Sequence, residues 1–523
     1  MAAVTLARSY SIALAGVEGH VVEIEADIGN GLVGLQLVGL PDTALREARD
    51  RIRSAVINSG QDWPMRRITV GLSPASLPKR GSVFDAGIAA AILAAAGSVP
   101  AARLARAVFV GELSLDGRLR PVPGVLPSLA AAAAAGFELA VVSPQNAAEA
   151  ALVPAVRVIS CPTLSALVAW LCGDEDGAAA AGVCLTQPGS GLPPPGTARP
   201  AGGQSIDLAD VVGQPVARRA AEICAAGGHH MLLLGPPGTG KTMLAERLPT
   251  ILPALEPAAA LEVSAIHSVA GRLLADRPLV AEPPFCAPHH TATKAAIVGG
   301  GSGIIKPGAA SLAHHGCLFL DEAPEFDRDV LDALRQPLES GEVVIARSGQ
   351  TAHFPARFTL VLAANPCPCA RTAATGTACT CTPLAKRRYL ARLSGPLLDR
   401  VDVKVELLPV GRAELLCDRQ LAESSSVVAA RVAEARLRAA RRLADTPWRL
   451  NGQIPGSELR RRFRPASGAL APLERAMDLG QISARGADRV IRMSWTLADL
   501  AGTDKPRLAE IGGALGLWLG VGL

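Results

Sequence analysis

A chain of 523 residues, 49% of them hydrophobic, holds enough apolar material for about three domains, each with its own core. Its 52 Lys and Arg against 47 Asp and Glu leave a net charge of only +5, which permits a nucleic-acid partner without demanding one. Aromatic residues at 3% exclude broad base-stacking platforms, and apolar runs such as Ala86–Gly97 fall short of the ~20 residues of a membrane span.

Near the N-terminus, Arg8 ahead of Ser11–Gly16 looks faintly like a signal peptide, but the alternating run Val21–Ile28 follows at once, so a folded domain is expected from the start. Residues 1–172 read as one α/β domain. Strands are expected at Val21–Ile28, Leu32–Val38, Ile68–Leu72, Val108–Leu113 and Leu139–Val142. Helices are expected at Asp42–Ser59, Asp85–Ala96 and Pro127–Ala135. In this domain Leu77-Pro78-Lys79-Arg80-Gly81, Asp85-Ala86-Gly87-Ile88 and Gly111-Glu112-Leu113 with Gly117-Arg118 resemble the proteolytic domain of Lon-type proteases. The resemblance implies a Ser–Lys dyad, yet Asp85 stands in the serine's place and Leu126 in the lysine's. A carboxylate beside a leucine cannot form an acyl enzyme. A retained fold without peptidase activity is expected.

Residues 173–204 turn to Gly, Pro, Ala and Ser around Pro193-Pro194-Pro195, with no hydrophobic period, and read as a linker. The stretch that organises the rest is His229–Thr242. The apolar run Met231–Leu234 precedes Gly235-Pro236-Pro237-Gly238-Thr239-Gly240-Lys241-Thr242, and a helix is expected over Met243–Leu248. This is a phosphate-binding loop in its required strand–loop–helix setting. Backbone N–H groups point at a phosphate, Lys241 reaches the β- and γ-phosphates, and Thr242 holds Mg²⁺. ATP and Mg²⁺ are the expected cofactors.

Further on, Gly316–Leu320 is a buried strand ending in Asp321 and Glu322, an acid pair suited to the Mg²⁺ shell and to polarising the attacking water. The strand Phe358–Ala364 ends at Asn365. In AAA+ ATPases a polar residue there orients water. Arg400, in Leu398-Asp399-Arg400-Val401-Asp402, resembles the arginine finger of ring-forming AAA+ proteins, with Arg387 and Arg388 as fallbacks. Arg485, opening a C-terminal helix, resembles their second sensor arginine. A salt bridge to Asp399 or Asp402 is the other reading of Arg400.

Eighty residues separate Lys241 from Asp321, more than a minimal core needs. The extra segment, with Ala287-Pro288-His289-His290-Thr291 and Lys306-Pro307-Gly308, and a hairpin over Gly341–Gly349 resemble the helix-2 insert and pre-sensor hairpin of the magnesium-chelatase branch. The adjacent histidines suit hydrogen bonding better than a metal. Lys294, Lys306 and Arg347 are the candidate DNA phosphate contacts, with solvated surface charge as the plain alternative. Lys79-Arg80 is a further site where DNA contact is conceivable, and the basic clusters Arg436–Arg442 and Arg460–Arg464 suit a charged helix face equally well.

Seven of eleven cysteines are scattered singly, as in a reducing cytosol. The other four, Cys367, Cys369, Cys379 and Cys381, form two C-x-C pairs suited to a structural Zn²⁺, with disulfides as the rival. A cytoplasmic chain with no membrane partner is expected.

Taken with Val38–Asp42, Ser311–His314 and Asn365–Cys369, these motifs make the chain resemble the Mg-chelatase-like AAA+ ATPases of the ComM/YifB type over nearly its whole length. The resemblance implies α/β architecture: a Lon-protease-like domain (1–172), a P-loop AAA+ parallel-sheet core with a helix-2 insert (205–409) and a helical lid (410–523). It also implies a homo-hexameric DNA motor supporting branch migration. A chelatase motor subunit and an ATP-dependent protease are the competing classes. The missing dyad opposes the protease, and the Lon-like domain opposes the chelatase subunit.

Overall fold

The computed structural model describes residues 6–39, 42–77, 79, 81–186, 206–301, 305–347, 350–369, 379–411 and 422–520. The chain opens on β1 (Leu6–Ala15), which pairs antiparallel with β2 (Glu18–Gly29) from Leu6 opposite Asp27 to Ala15 opposite Glu18. The stretch that looks faintly like a signal sequence is therefore an interior strand. Its alternate residues Ala7, Ser9, Ser11 and Ala13 are buried, while Arg8 faces outward and pairs with Glu25. With β3 (Gly34–Val38), β4 (Arg67–Ser73), β5 (Ala107–Val110), a small hairpin of β6 (Glu112–Leu113) and β7 (Leu119–Arg120), and then β8 (Leu139–Val142), β9 (Arg157–Ser160) and β10 (Cys184–Thr186), it builds the first domain. The eight-stranded mixed sheet runs β10-β9-β8-β5-β1-β2-β4-β3. The expected strand Val108–Leu113 is split between β5 and β6, because Gly111 bonds through its backbone to Val83 and Ala86 instead of to a strand neighbour.

Two expectations change here. The linker begins later than residue 173: Asp174 caps a helix at Glu175–Ala180, and Cys184–Thr186 pairs antiparallel with β9, closing that sheet edge. Residues 187–205, which hold the proline run, lie outside the described residues. Lys79 is only 1% exposed, with its ammonium donating to the carbonyls of Pro74 and Leu77. A side chain so enclosed makes no contact with DNA phosphates, and Arg80 lies outside the described residues.

The helix Asp85–Ala95 is buried at every position, which its Ala, Gly and Ile composition allows between a sheet and neighbouring helices. Asp85 at its start is gripped by Arg51, at 2.5 Å from Nε and 3.1 Å from Nη2, and accepts the Leu113 N–H at 3.2 Å. Burial pushes its carboxyl up to about 6 despite Arg51. Leu126 is apolar and buried, and its N–H is taken by Glu149. The two dyad positions thus hold an ion-paired acid and a core leucine.

Downstream, β11 (Met231–Leu234), β12 (Phe285–Cys286), the short pair β13 (Gly299–Gly300) and β14 (Lys306–Pro307), β15 (Cys317–Leu320), the hairpin β16 (Glu342–Arg347) and β17 (Gln350–Pro355), β18 (Thr359–Ala364) and β19 (Val403–Glu406) follow. The central sheet is five-stranded, β12-β15-β18-β11-β19, and every pairing is parallel. A parallel sheet is covered on both faces, and its strands alternate between the two cores. Met231, Leu233, Val361 and Ala363 face one core, whereas Leu318, Leu320, Leu360 and Leu362 face the other.

The first of those cores also takes in the C-terminal helices, through Val428 and Val432 of Ser425–Arg442, Met493 and Trp495 of Ala484–Ala501, and Leu517 of Leu508–Leu519. The lid is therefore fused to the nucleotide-binding sheet. Ser425, the first residue of that lid helix, accepts the Leu208 N–H at 2.8 Å through its hydroxyl and meets Thr250 Oγ1 at 2.6 Å, joining lid to core.

The first domain rests on the insert. Gly16 bridges to His353 of β17, the Gly124 N–H donates to Ser268 at 3.1 Å, and Ser268 donates to Glu149. A cavity of about 170 Å³ beside Ser82 and Phe84 is closed by Val269 and Ile305 of the insert. No helix among the described residues is long and apolar enough to cross a membrane.

Candidate functional site: a nucleotide-binding loop and its neighbours

The loop leaves the central strand β11 and enters the helix Lys241–Arg247. Gly235 lies so close to strand β19's exit that an added Cβ would sit 2.5 Å from the Leu407 carbonyl oxygen. Gly240, at φ 90°, holds the left-handed turn that starts the helix. Lys241 is 8% exposed, and its ammonium donates to the Gly235 carbonyl at 2.6 Å, the Pro236 carbonyl at 2.8 Å and Asn365 Oδ1 at 3.2 Å. Burial pushes the lysine's pKa down, and Asp321 and Glu322 oppose that shift.

The two acids come from the end of β15, one strand beyond β18 in the sheet. Thr242 Oγ1 donates to Asp321 Oδ2 at 2.7 Å, so the two oxygen donors expected for Mg²⁺ are already together. Glu322 follows at φ 51°, a left-handed conformation that is uncommon for a residue with a side chain. That twist turns its carboxylate away from the strand toward His290, whose Nδ1 is 3.4 Å from Oε2. Of the adjacent histidines, His289 hydrogen-bonds to Thr291 Oγ1 at 2.9 Å, and His290 lies beside the Glu322 carboxylate. The donor set fits a magnesium nucleotide: a loop of N–H groups, a lysine, and a hydroxyl beside a carboxylate. When bound, Mg²⁺ neutralises phosphate charge during transfer.

Three family models match the chain in succession: Subunit ChlI of Mg-chelatase over residues 24–146, Magnesium chelatase, subunit ChlI over 207–415, and Magnesium chelatase, subunit ChlI C-terminal over 422–517. A Mycobacterium tuberculosis protein is 51% identical over 510 residues, covering 98% of each chain. The Competence protein ComM of Haemophilus influenzae is 42% identical over 97% of this chain and 96% of its own. The YifB protein of Escherichia coli is 40% identical over 96% and 94%.

The chain belongs to the Mg-chelatase-like ComM/YifB family of AAA+ proteins.

Membership of this AAA+ family implies ATP hydrolysis with Mg²⁺. In this ComM/YifB protein the remaining expected residues fall into three places. Asn365 is 8% exposed and touches Lys241, joining it to the phosphate loop. Arg400 is also 8% exposed and lies within its own chain's packing, donating to Glu339 and to the Pro396 carbonyl. The anticipated partners Asp399 and Asp402 are not its ligands among the described bonds; Asp402 is claimed by Arg489 at 2.6 Å. Arg485 is exposed at the start of helix Ala484–Ala501.

Some residues of the site were not anticipated from sequence. Gln214 donates to the Leu408 carbonyl at 2.8 Å and the Thr239 carbonyl at 3.3 Å, tying the loop to the end of β19. A buried polar chain runs below β11. His229 meets Asp402 at 3.4 Å and Thr496 at 2.8 Å, and Asn451 joins Thr496 to Asp499, which Arg442 grips at 2.5 and 2.6 Å. Lone polar residues in otherwise apolar stretches (Thr496 and Asp499 in a core helix) were the available signal.

The four expected cysteines converge. Cys367 Sγ lies 3.3 Å from Cys369 and 3.4 Å from Cys379, Cys369 lies 3.6 Å from Cys379, and all four sulfurs including Cys381 fall within 4.8 Å of one another. Four thiolates at ~2.3 Å from one Zn²⁺ would stand ~3.8 Å apart, so the set fits a tetrahedral site.

The three basic candidates lie on backbone that meets around Gly300. Lys306 is the cross-strand partner of Gly300, Lys294 adjoins Ala295, and a Cβ built on Gly300 would meet Ala295 Cβ at 3.2 Å and Arg347 Nη2 at 3.7 Å. All three are exposed, and none is ion-paired to an acid among the described residues.

Proposed function

We propose that this protein is the subunit of a homo-hexameric ATP-driven motor that moves along DNA and promotes branch migration during recombination. The observation that carries the reading is the cluster around Gly300. The insert's helix and hairpin carry Lys294 and Lys306 on backbone next to Gly300, the pre-sensor hairpin brings Arg347 Nη2 to 3.7 Å from a Cβ built there, and none of the three pairs with an acid among the described residues. Repeated by symmetry around a ring, such a cluster lines a pore with charges spaced to track a phosphate backbone. The Haemophilus relative's name, a competence protein, agrees with a role on incoming DNA. A chelatase-type motor acting on a protein partner would not need these cations unpaired.

ATP turnover is expected to rise with single-stranded or branched DNA and to lose that stimulation as salt is raised. Lys306→Ala and Arg347→Ala should each weaken DNA binding regardless of sequence and flatten the slope of log K against log salt by about 1. Turnover that DNA leaves unchanged at every salt concentration would refute the motor reading.

In the ring, Arg400 completes the neighbouring subunit's site. Arg400→Ala is expected to keep ATP binding and to lose about 10³-fold in turnover. Within one chain its guanidinium is held by Glu339, so the finger must exchange that partner for phosphate. Mixing Lys241→Ala with Arg400→Ala subunits separates the two readings. Shared sites recover activity, because some interfaces pair an intact lysine with an intact arginine. An arginine that only braces its own chain gives no recovery.

A further inference from the structure

The four thiols stand at a place where a metal would do more than hold a loop together. Cys367, 2% exposed, is two residues past Asn365, the side chain that touches the phosphate-loop lysine at 3.2 Å. Cys381 lies at the other end of the same excursion, one residue before Thr382, whose hydroxyl caps the helix Pro383–Leu390 by accepting the Ala385 N–H. That helix returns the chain to its starting point. Tyr389, 5% exposed, brings its phenol to the Asn365 backbone. Asn365 is thus pinned between the cysteine cluster on the outgoing chain and Tyr389 on the returning one.

We infer that Cys367, Cys369, Cys379 and Cys381 bind one Zn²⁺, and that this ion positions Asn365 against Lys241 so that hydrolysis, but not nucleotide binding, depends on it. The distinction follows from geometry. Nucleotide binding draws on the loop between Gly235 and Thr242, which the central sheet holds through β11 without help from the cysteines. Orientation of the water draws on a side chain at the open end of β18, where strand pairing stops at Ala364. Beyond that point the chain has no ladder to fix it, and the four-thiolate clasp supplies the constraint. Zn²⁺ suits this task because it has no redox chemistry and takes four sulfur ligands without an open position. Asn365 is a positioning residue in this scheme, and the metal acts through it.

The inference rests on the ATPase reading for its activity arm only. Full-length protein purified under reducing conditions should carry about one zinc per chain by metal analysis. Cys379→Ser with Cys381→Ser should lose the zinc, bind a fluorescent ATP analogue within about twofold of wild type, and turn over ATP about 10- to 100-fold more slowly. Stripping zinc from the wild-type protein with a chelator and restoring it should lower and recover turnover, a check that does not depend on the double variant folding. Zinc-free wild-type protein, or zinc removal that leaves turnover intact, overturns the inference. A zinc-loaded protein that binds ATP analogue but shows no turnover under any condition counts against the ATPase reading and leaves the metal site standing.

Discussion

Glu322→Gln will bind ATP with near-normal affinity and hydrolyse it about 10²- to 10⁴-fold more slowly. The substitution keeps the shape and the left-handed backbone at φ 51° and removes only the charge that polarises water. Asp321, which already holds Thr242 at 2.7 Å, is untouched, so the Mg²⁺ donors remain. Lys241 and the loop N–H groups are also untouched, so affinity is retained. His290, 3.4 Å from the Glu322 carboxylate, keeps a neutral amide beside it. Binding is read by titration of a nucleotide analogue, and turnover by phosphate release. Turnover within about threefold of wild type would mean that Glu322 is not the group that activates water.

Why these two acids were legible in the sequence, while their setting was not, is a matter of range. A phosphate loop, a strand ending in two acids and a strand ending in asparagine are local patterns, each set by a few adjacent residues. Their order along the chain implies their meeting in a parallel sheet, and strand order β15-β18-β11 brings them together. The apolar strands Met231–Leu234 and Leu139–Val142 were readable to the residue for the same reason. What escaped depends on distant partners. β1 carries short hydrophobic and small residues that suit a leader as well as a strand, and only pairing with β2 and β5 decides between them. Arg400 looks alike as a finger or a brace until Glu339, 61 positions earlier, is seen beside it. The helix over Glu175–Ala180 was hidden because alanine and glycine dominate it, and only the Asp174 cap and the strand beyond give it a boundary. The four cysteines were legible as a set, but their closeness to Asn365's backbone partner Tyr389 was not.

Asp402→Ala will cost about 3–5 kcal/mol of stability, because this core carboxylate ties the central sheet to the lid. Asp402 is 3% exposed and serves three donors: Arg489 at 2.6 Å, and the His229 ring and His230 N–H at 3.4 Å. Removing the buried carboxylate leaves a partly buried guanidinium and the buried His229 ring without their shared acceptor, which is why the expected loss exceeds that of a surface pair. The loss spreads to both domains, because Arg489 belongs to the lid helix Ala484–Ala501 while His229 precedes the phosphate-loop strand. The pH dependence separates this group from its neighbour. Arg489 leads the groups that hold the Asp402 carboxyl well below the usual carboxylate range against the opposing effect of burial. A depressed acid contributes stability that is fully present above its unfolded value and lost only as pH falls below about 4, so the variant's deficit stays flat between pH 5 and 8. His230 behaves differently: its Nδ1 accepts the Leu360 N–H at 3.0 Å, and burial pushes it down to about 4. A depressed histidine contributes stability above its unfolded value near 6.5, and that contribution drains away as pH falls from there toward 4. Urea denaturation of wild type and variant across this range should therefore give parallel curves, both falling below pH 6.5 as unfolding lets His230 and the likewise depressed His267 and His314 take up protons. Converging curves between pH 8 and 5, or a deficit under about 1 kcal/mol, would show that Arg489 and His229 find other partners. Because Arg489 also donates to the Arg400 carbonyl at 3.0 Å, the same substitution loosens the segment carrying the proposed finger. ATP turnover should fall with stability held constant by added osmolyte, which ties the lid's position to chemistry at the neighbouring site.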